Sequence, residues 1–367
     1  MLTELEVRNF RVFSSSLLRF SSPKVVFLGG NGEGKTTLLE SIFFLANLRS
    51  FRTLKINEIC TMGTPFFTVK GVHEYRKNWK STLEVNFSET GRSLFIDRMP
   101  LTRASDFTGR LRCITFLPED PFLISGTSLF RRRFFDMFVS LLDKEYFLAL
   151  QNYSGALKSR NFLLKSAGND FEKVRNVLDS YNILLAANGS VIVRKRQEYG
   201  LLLEKETSSK LSSIRPELAE FRIGMRFQEC TLAKESFLNR LERDVRKDAA
   251  RGFTSLGPHL DEFDFLTNGK SLRSYGSRGQ LRSVSFALKL AQHHILKTAG
   301  DNGAGGENIV LVDDVLGDLD AKAKEAFFAE TAGEGQIFYT FMKVPGELEG
   351  NDVQLWKISG GKAEEAK

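Results

Sequence analysis

Residues 27–41 read FLGGNGEGKTTLLES, and no other stretch limits the possible folds so sharply. Gly29 through Thr36 satisfy the spacing GxxxxGK[ST], between the short apolar run KVVFL and the helical pattern KTTLLESIFFLANL. A strand that runs into a glycine loop and then a helix is the setting in which this spacing builds a phosphate-binding loop. Gly29, Gly30, Gly32 and Gly34, with Asn31 and Glu33 between them, let successive backbone N–H groups turn toward an anion. The helix N-terminus adds partial positive charge. Lys35 is expected to pair with the β and γ phosphates and Thr36 to bring its hydroxyl to Mg²⁺, with Thr37 next in the binding set. The core is therefore α/β, and the ligand a nucleotide with Mg²⁺.

A second stretch supplies the partner of this loop. IVLVDDVL is a run of apolar β-formers ending in Asp313 and Asp314. In an open parallel sheet such a strand delivers its carboxylates to the ligand crevice. Asp313 is then a metal-binding candidate, and Asp314 a catalytic one, beside Lys35, that orients or deprotonates an attacking water. One helix earlier, YGSRGQLRSVSFALKL sets Ser277, Gly279 and Gln280 at a helix start. Two readings stand for it. Ser277 and Gln280 have the spacing of a capping box; a hydroxyl, a glycine amide and a helix N-terminus together also make an anion-binding device.

The remaining sequence frames this core. LTELEVRNFRVF reads as an opening strand with Leu5, Val7 and Phe10 as its apolar set, and FFTVKGVHEY, STLEVNFS, SLFIDRMPL and CITFL as pieces of an antiparallel sheet. From about 128 to 213 apolar residues such as Phe134, Phe138, Leu141 and Leu142 recur at helical spacing, predicting at least two long helices. Strand alternation returns in EFRIGMRF, and FDFLTNGKSLRSY predicts a hairpin turning at Asn268-Gly269. DNGAGGE is read as a flexible loop, GQIFYTF as a strand, and the residues after Pro345 as a polar tail. The expected organisation is 1–120 as the N-terminal part of the ATPase lobe and 121–250 as a helical arm with a strand near 220–228. Residues 251–345 would complete the ATPase core, and 346–367 form the tail.

Composition narrows the setting. The net charge of +7 suits a polyanionic partner without requiring one. Arg131, Arg132 and Arg133 in FRRRFF are a candidate DNA surface against the plainer reading of a solvated helix face. Cys60, Cys113 and Cys230 stand far apart with no CxxC pair, as expected of a reducing cytoplasm. No apolar run has the length of a membrane span and the N-terminus lacks a signal-peptide core, so no membrane association is expected. The 32 phenylalanines, scattered through periodic segments, read as core filling.

The order of a P-loop, then Ser-x-Gly-Gln, then an apolar strand with paired acids, then LGDLD resembles that of ABC-type ATPases. With VRNFR, RSFR, FLPED, RRRFFD, GPHLDEFDF and YGSRGQLRS in place, the chain is similar over residues 5 to about 340 to the SMC-like RecF family of bacterial recombination-repair proteins. The resemblance implies an ABC-type head, its mixed sheet core joined by an antiparallel β subdomain, with an inserted helical arm. Two copies would sandwich ATP, closing as a clamp on duplex DNA beside single-stranded gaps. RecO, RecR and a RecA-type recombinase would be its partners, and the protein would be cytoplasmic and nucleoid-associated. It implies further that Ser277, Gly279 and Gln280 act on the other copy's nucleotide and that Asp318 and Asp320 lie at the dimer seam. Arg11 and Arg52 would approach the nucleotide, and Glu119 or Asp120 stand near the metal. Gly30 replaces a proline usual before Asn31, and Thr340 stands where many ABC ATPases place a histidine, so hydrolysis, stimulated by DNA, is expected to be slow. His259 is given no chemical role. Three rivals share some of these motifs: the ATPase subunit of another ABC-type system such as a transporter, a small-molecule kinase, and a non-hydrolysing DNA-binding module.

Overall fold

The computed structural model describes residues 1–76, 79–166, 171–299, 308–333, 335–348 and 352–366; the DNGAGGE segment expected as a loop lies outside them. The chain divides into two compact units, Met1–Pro118 with His293–Lys367, and Glu119–Gln292.

The first unit holds two sheets. Strands β1 (Leu2–Phe10), β2 (Phe13–Arg19), β4 (Phe66–Arg76), β5 (Trp79–Ser88), β6 (Gly91–Ile96) and β7 (Met99–Leu101) form an antiparallel sheet in the order β2-β1-β4-β5-β6-β7. The other sheet runs β15-β14-β3-β13-β12-β8, made of β3 (Lys24–Leu28), β8 (Cys113–Phe116), β12 (Ile309–Asp313), β13 (Gln336–Phe341), β14 (Val353–Ser359) and β15 (Lys362–Ala366). All its neighbours pair in parallel except β14 with β15. Helix α1 (Lys35–Asn47) follows β3 and is buried from end to end apart from Thr36. The expected apolar set of β1 is buried, joined by Leu2, and Phe10 meets Phe44 and Phe67 edge to face. Gln336 ties the sheets together, its amide accepting from the Leu2 N–H at 2.7 Å and donating to the Leu2 carbonyl at 2.9 Å.

Two expectations fail in this unit. CITFL is not antiparallel: it forms β8, paired in parallel with β12, with all four residues buried. A strand covered on both faces shows no alternation, so its pattern alone does not say which sheet it joins. Nor do the last residues form a tail. Gln354, Trp356 and Ile358 are buried on β14 while Lys357 and Ser359 are exposed between and after them, and β15 folds back beside it. Half-buried strands with polar outer faces read as solvent-exposed sequence until their partner strand, here β3, is known.

The second unit is mostly helical: α2 (Phe122–Ser125), α3 (Ser128–Leu142), α4 (Lys144–Ser166), α5 (Phe171–Ile214) and α6 (Lys234–Arg251). The predicted long helices are α4 and the 44-residue α5. Strands β9 (Phe221–Arg226), β10 (Glu262–Thr267) and β11 (Lys270–Ser271) make a small antiparallel sheet, followed by α7 (Leu272–Tyr275) and the start of α8 (Arg278–Ala299). Asn268 and Gly269 turn the β10–β11 hairpin with positive φ, as their sequence requires. Residues 251–292 were expected in the ATPase core; by contacts they belong to this unit, because β10 pairs along its whole length with β9. A buried polar network runs through the bundle. Arg160 binds Asp248, Asn182 and Thr254, and Arg196 bridges Asp136 and Asp261.

Candidate nucleotide site

The phosphate loop leaves the carboxyl end of β3 and enters α1 through Gly34, whose φ is 111°. A side chain there would be strained, and its first carbon would stand 2.9 Å from both Val12 and Phe13. The Lys35 ammonium is nearly buried and folds back onto its own loop, donating to the Gly29 and Gly30 carbonyls at 2.8 and 2.7 Å. It therefore sits where the loop amides gather.

Beside it, β12 ends at Asp313. The Thr36 hydroxyl donates to this carboxylate at 2.9 Å, and Thr340, opposite Asp313 in the β12–β13 register, donates at 2.6 Å. Asp313 is 8% exposed, so two hydroxyl donors matter to a carboxylate that has left water. Hydroxyl and carboxylate oxygens at the start of a helix are hard donors of the kind Mg²⁺ takes, and the pair Thr36–Asp313 fits that ion. Thr340 was read only as the absence of a histidine; it contacts Asp313 itself. Asp314 is exposed, turns with φ 49°, and borders a cleft of about 420 Å³ lined by Leu316, Phe341, Met342, Lys324 and Lys343.

Three features of the site escaped sequence reading. Glu40 is fully buried on α1, and its carboxylate takes two bonds from Arg11, at 2.7 and 3.0 Å, one from Ser50, and a longer one of 3.4 Å from Arg52. The two arginines expected at the nucleotide are thus gathered on one acid. A glutamate set among the apolar residues of KTTLLESIFFLAN was the available signal. The second feature is the β14–β15 turn, where the Gly360 N–H donates to the Glu33 carboxylate and the Gly361 N–H to the Glu33 carbonyl. The third is Thr340.

The remaining predicted residues belong to other elements. Ser277 and Gln280 form a reciprocal capping box at the exposed start of α8: the Ser277 N–H donates to the Gln280 side chain at 2.9 Å, and the Gln280 N–H to the Ser277 hydroxyl at 3.2 Å. Asp320 caps α9 (Ala321–Thr331) by accepting from the Ala323 N–H; the Asp318 side chain lies outside the described residues. Glu119 and Asp120 open the turn into α2 and belong to the second unit.

The expected DNA surface of Arg131, Arg132 and Arg133 requires a correction. Arg131 is buried, donating to the carbonyls of Ile124 and Gly126, and Arg132 donates to that of Asp261. Arg133 is half-buried rather than exposed, so none of the three stands free in solvent. Consecutive residues on a helix point to different faces, and three arginines in a row therefore make no single patch. His259 joins Tyr153 at 2.7 Å and the Thr254 carbonyl at 3.1 Å, and burial lowers its pKa.

A P-loop strand and an aspartate-ended strand in the parallel part of one mixed sheet, an antiparallel subdomain and a helical insertion define the class: an ABC- and SMC-like ATPase head with a helical arm. Residues 4–63 match the family model described as an AAA domain. The chain is 33% identical to the DNA replication and repair protein RecF of Natranaerobius thermophilus, covering 99% of this chain and 97% of that one. It is 30% identical to RecF of Ruminiclostridium cellulolyticum over 98% of each. It belongs to the RecF family of DNA replication and repair proteins. Among solved structures it superposes on the recombination mediator protein RecF-ATP of the RecFOR pathway with a TM-score of 0.87 at 28% identity, covering 100% of this chain and 97% of that one. The Smc head domain of Pyrococcus furiosus, 13% identical, shares the fold at a TM-score of 0.53, over 100% of this chain and 95% of that one. Among the described residues no helix is long and apolar enough to cross a membrane.

Proposed function

We propose that ATP acts in this protein as the joint between two copies of the chain, which together clamp duplex DNA beside single-stranded gaps. The observation that carries this reading is the convergence of Lys35, Thr36, Asp313 and Thr340 at one loop. Lys35 would leave its carbonyls for the β and γ phosphates, and Thr36 with Asp313 would hold Mg²⁺, which when bound supplies charge neutralisation at the phosphates. Asp314 orients the attacking water. Thr340 already donates to Asp313, and a hydroxyl in this place supplies no imidazole for the γ-phosphate, so hydrolysis is slow and works as a timer. Arg11 and Arg52, held on Glu40 of the helix that the phosphate loop opens, would exchange that acid for phosphate. A second copy presents Ser277, Gly279 and Gln280; the exposed capping box keeps its helix N-terminus ordered for an anion.

Because the γ-phosphate is the surface the second copy binds, closure follows ATP binding and release follows hydrolysis. The relatives that carry ATP belong to the RecFOR pathway, and RecO, RecR and a RecA-type recombinase are the partners this chain would serve on gapped DNA. Light scattering of the purified chain with and without ATP tests the reading. Wild type should double in mass with ATP, and Ser277→Arg should bind ATP yet stay monomeric. A Ser277→Arg protein that dimerises normally would refute the trans role, and loss of its ATP binding would refute the division of labour.

A further inference from the structure

With Arg131 buried, Arg132 engaged with a carbonyl and Arg133 half-buried, the helical unit lacks the phosphate-binding surface first expected of that run. The cations that do reach solvent together are scattered in sequence. Helix α6 buries Phe237, Leu241, Val245 and Asp248 along one face. Arg240, Arg243, Lys247 and Arg251 repeat along a single flank of the same helix, at steps of three and four residues. At a rise of about 1.5 Å per residue they run over roughly 16 Å. One strand of duplex DNA presents a phosphate about every 3.4 Å of axis, so the flank passes roughly four or five of them.

Helix α4 extends this surface. Lys158 and Lys165 are exposed on either side of Asn161. The Asn161 side chain accepts from the Thr254 N–H at 2.8 Å and the Thr254 hydroxyl at 2.7 Å, just beyond the end of α6. Gly252, which ends α6, packs against the Lys165 stem, where an added carbon would meet it at 3.4 Å. Leu164 of α4, Leu178 of α5 and Val245 of α6 pack beneath. The lysines of α4 and the cations of α6 are therefore carried by one rigid support.

The acids nearby offset only part of this charge. Asp248 points inward to Arg160 at 2.8 Å, and Asp244 is occupied by Arg240 at 2.5 Å, with Arg243 farther off at 3.7 Å. Glu235 and Glu242 lie toward the opposite flank by helical register. Among the described residues Lys158, Lys165, Lys247 and Arg251 make no ion pair. Arg251 alone could be explained as a cation completing a helix C-terminus. That account does not reach Arg243 and Lys247, a turn or more upstream, or the lysines of α4.

We propose that the solvent face formed by α6 and the C-terminal half of α4 is the surface on which the helical unit grips the phosphate backbone of duplex DNA. This rests on the DNA reading above and assigns the contact to Lys158, Lys165, Arg243, Lys247 and Arg251. Recognition is by charge and is independent of sequence.

The test is a salt titration of duplex-oligonucleotide binding by the full chain with ATP present. The combined variant Arg243→Glu, Lys247→Glu, Arg251→Glu should bind at least about tenfold more weakly, with the slope of log K against log salt shallower by about 2 to 3. Lys158→Ala with Lys165→Ala should flatten it by about 2. ATP affinity should match wild type, and the fold should persist with a somewhat lowered unfolding midpoint, since the triple variant places acids at the α6 C-terminus and beside Asp244. Variants that keep the wild-type affinity and slope overturn this surface while leaving the DNA reading intact. Wild type that binds no duplex overturns both, and equal loss of binding to anionic phospholipid vesicles would make the face a membrane surface instead.

Discussion

At the scale of single residues, Asp313 organises the site. Its carboxylate is buried and satisfied by two threonine hydroxyls from different elements, α1 and β13. Thr340→Val keeps the shape but strands part of that carboxylate, and should cost about 1–3 kcal/mol in denaturant unfolding. Paired acids and the P-loop made Asp313 and Lys35 legible from the chain, whereas Thr340 had no motif to announce it. A second residue-scale prediction concerns His73, whose pKa burial lowers to about 4, with the N-terminal ammonium acting in the same direction. Unfolded, the ring titrates near 6.5, so between those values the unfolded chain binds the extra proton. His73 therefore costs nothing above about pH 6.5 and weakens the fold as pH falls toward 4. Wild type should lose roughly 2 kcal/mol from this group between about pH 7 and pH 5, and His73→Leu should lose less over the same range. His259, lowered by burial as well, adds to the acid sensitivity in the same sense.

At the scale of elements, periodicity carried the helices and most strands, and failed where a segment's neighbours supplied the information. Helices α4 and α5 illustrate both. Each contains a glycine that propensity alone would replace by alanine for a gain of up to about 1 kcal/mol. Gly155 in α4 faces open space, so Gly155→Ala should raise the unfolding midpoint. Gly189 in α5 lies under Phe237 and Tyr153, where a new methyl would stand 2.5 and 3.2 Å from the rings. Overpacking costs about 1–3 kcal/mol, so Gly189→Ala should destabilise in the same assay despite its helix propensity. Strand β8 and the β14–β15 hairpin make the same point for sheets: CITFL joined the parallel sheet, and the supposed tail turned back to donate two N–H groups to Glu33 of the phosphate loop.

At the scale of the whole molecule, the prediction concerns assembly and time. Asp314 already holds φ 49°, a conformation asparagine accepts readily, so Asp314→Asn changes the charge with little strain on the backbone. With ATP it should elute as a lasting dimer, while wild type returns to monomer as phosphate is released. An Asp314→Asn protein that stays monomeric with ATP would remove this residue from catalysis. The proposed clamp needs a surface for DNA as well as a joint, and the exposed cations of α4 and α6 are the surface proposed for it, which no contiguous run displayed.

Local chemistry was written in the chain. A glycine loop between a strand and a helix, paired acids after an apolar run, Asn-Gly at a hairpin and a Ser-x-x-Gln helix start each act over a few residues, and neighbours along the backbone suffice to specify them. What folding alone decided was which polar groups meet: Thr340 on Asp313, Arg11 and Arg52 on Glu40, the C-terminal hairpin against Glu33, and the turning inward of Arg131. The reason is physical. Whether a polar side chain meets solvent, a carbonyl or a carboxylate depends on what the rest of the chain buries beside it, and that is set by packing rather than by adjacency.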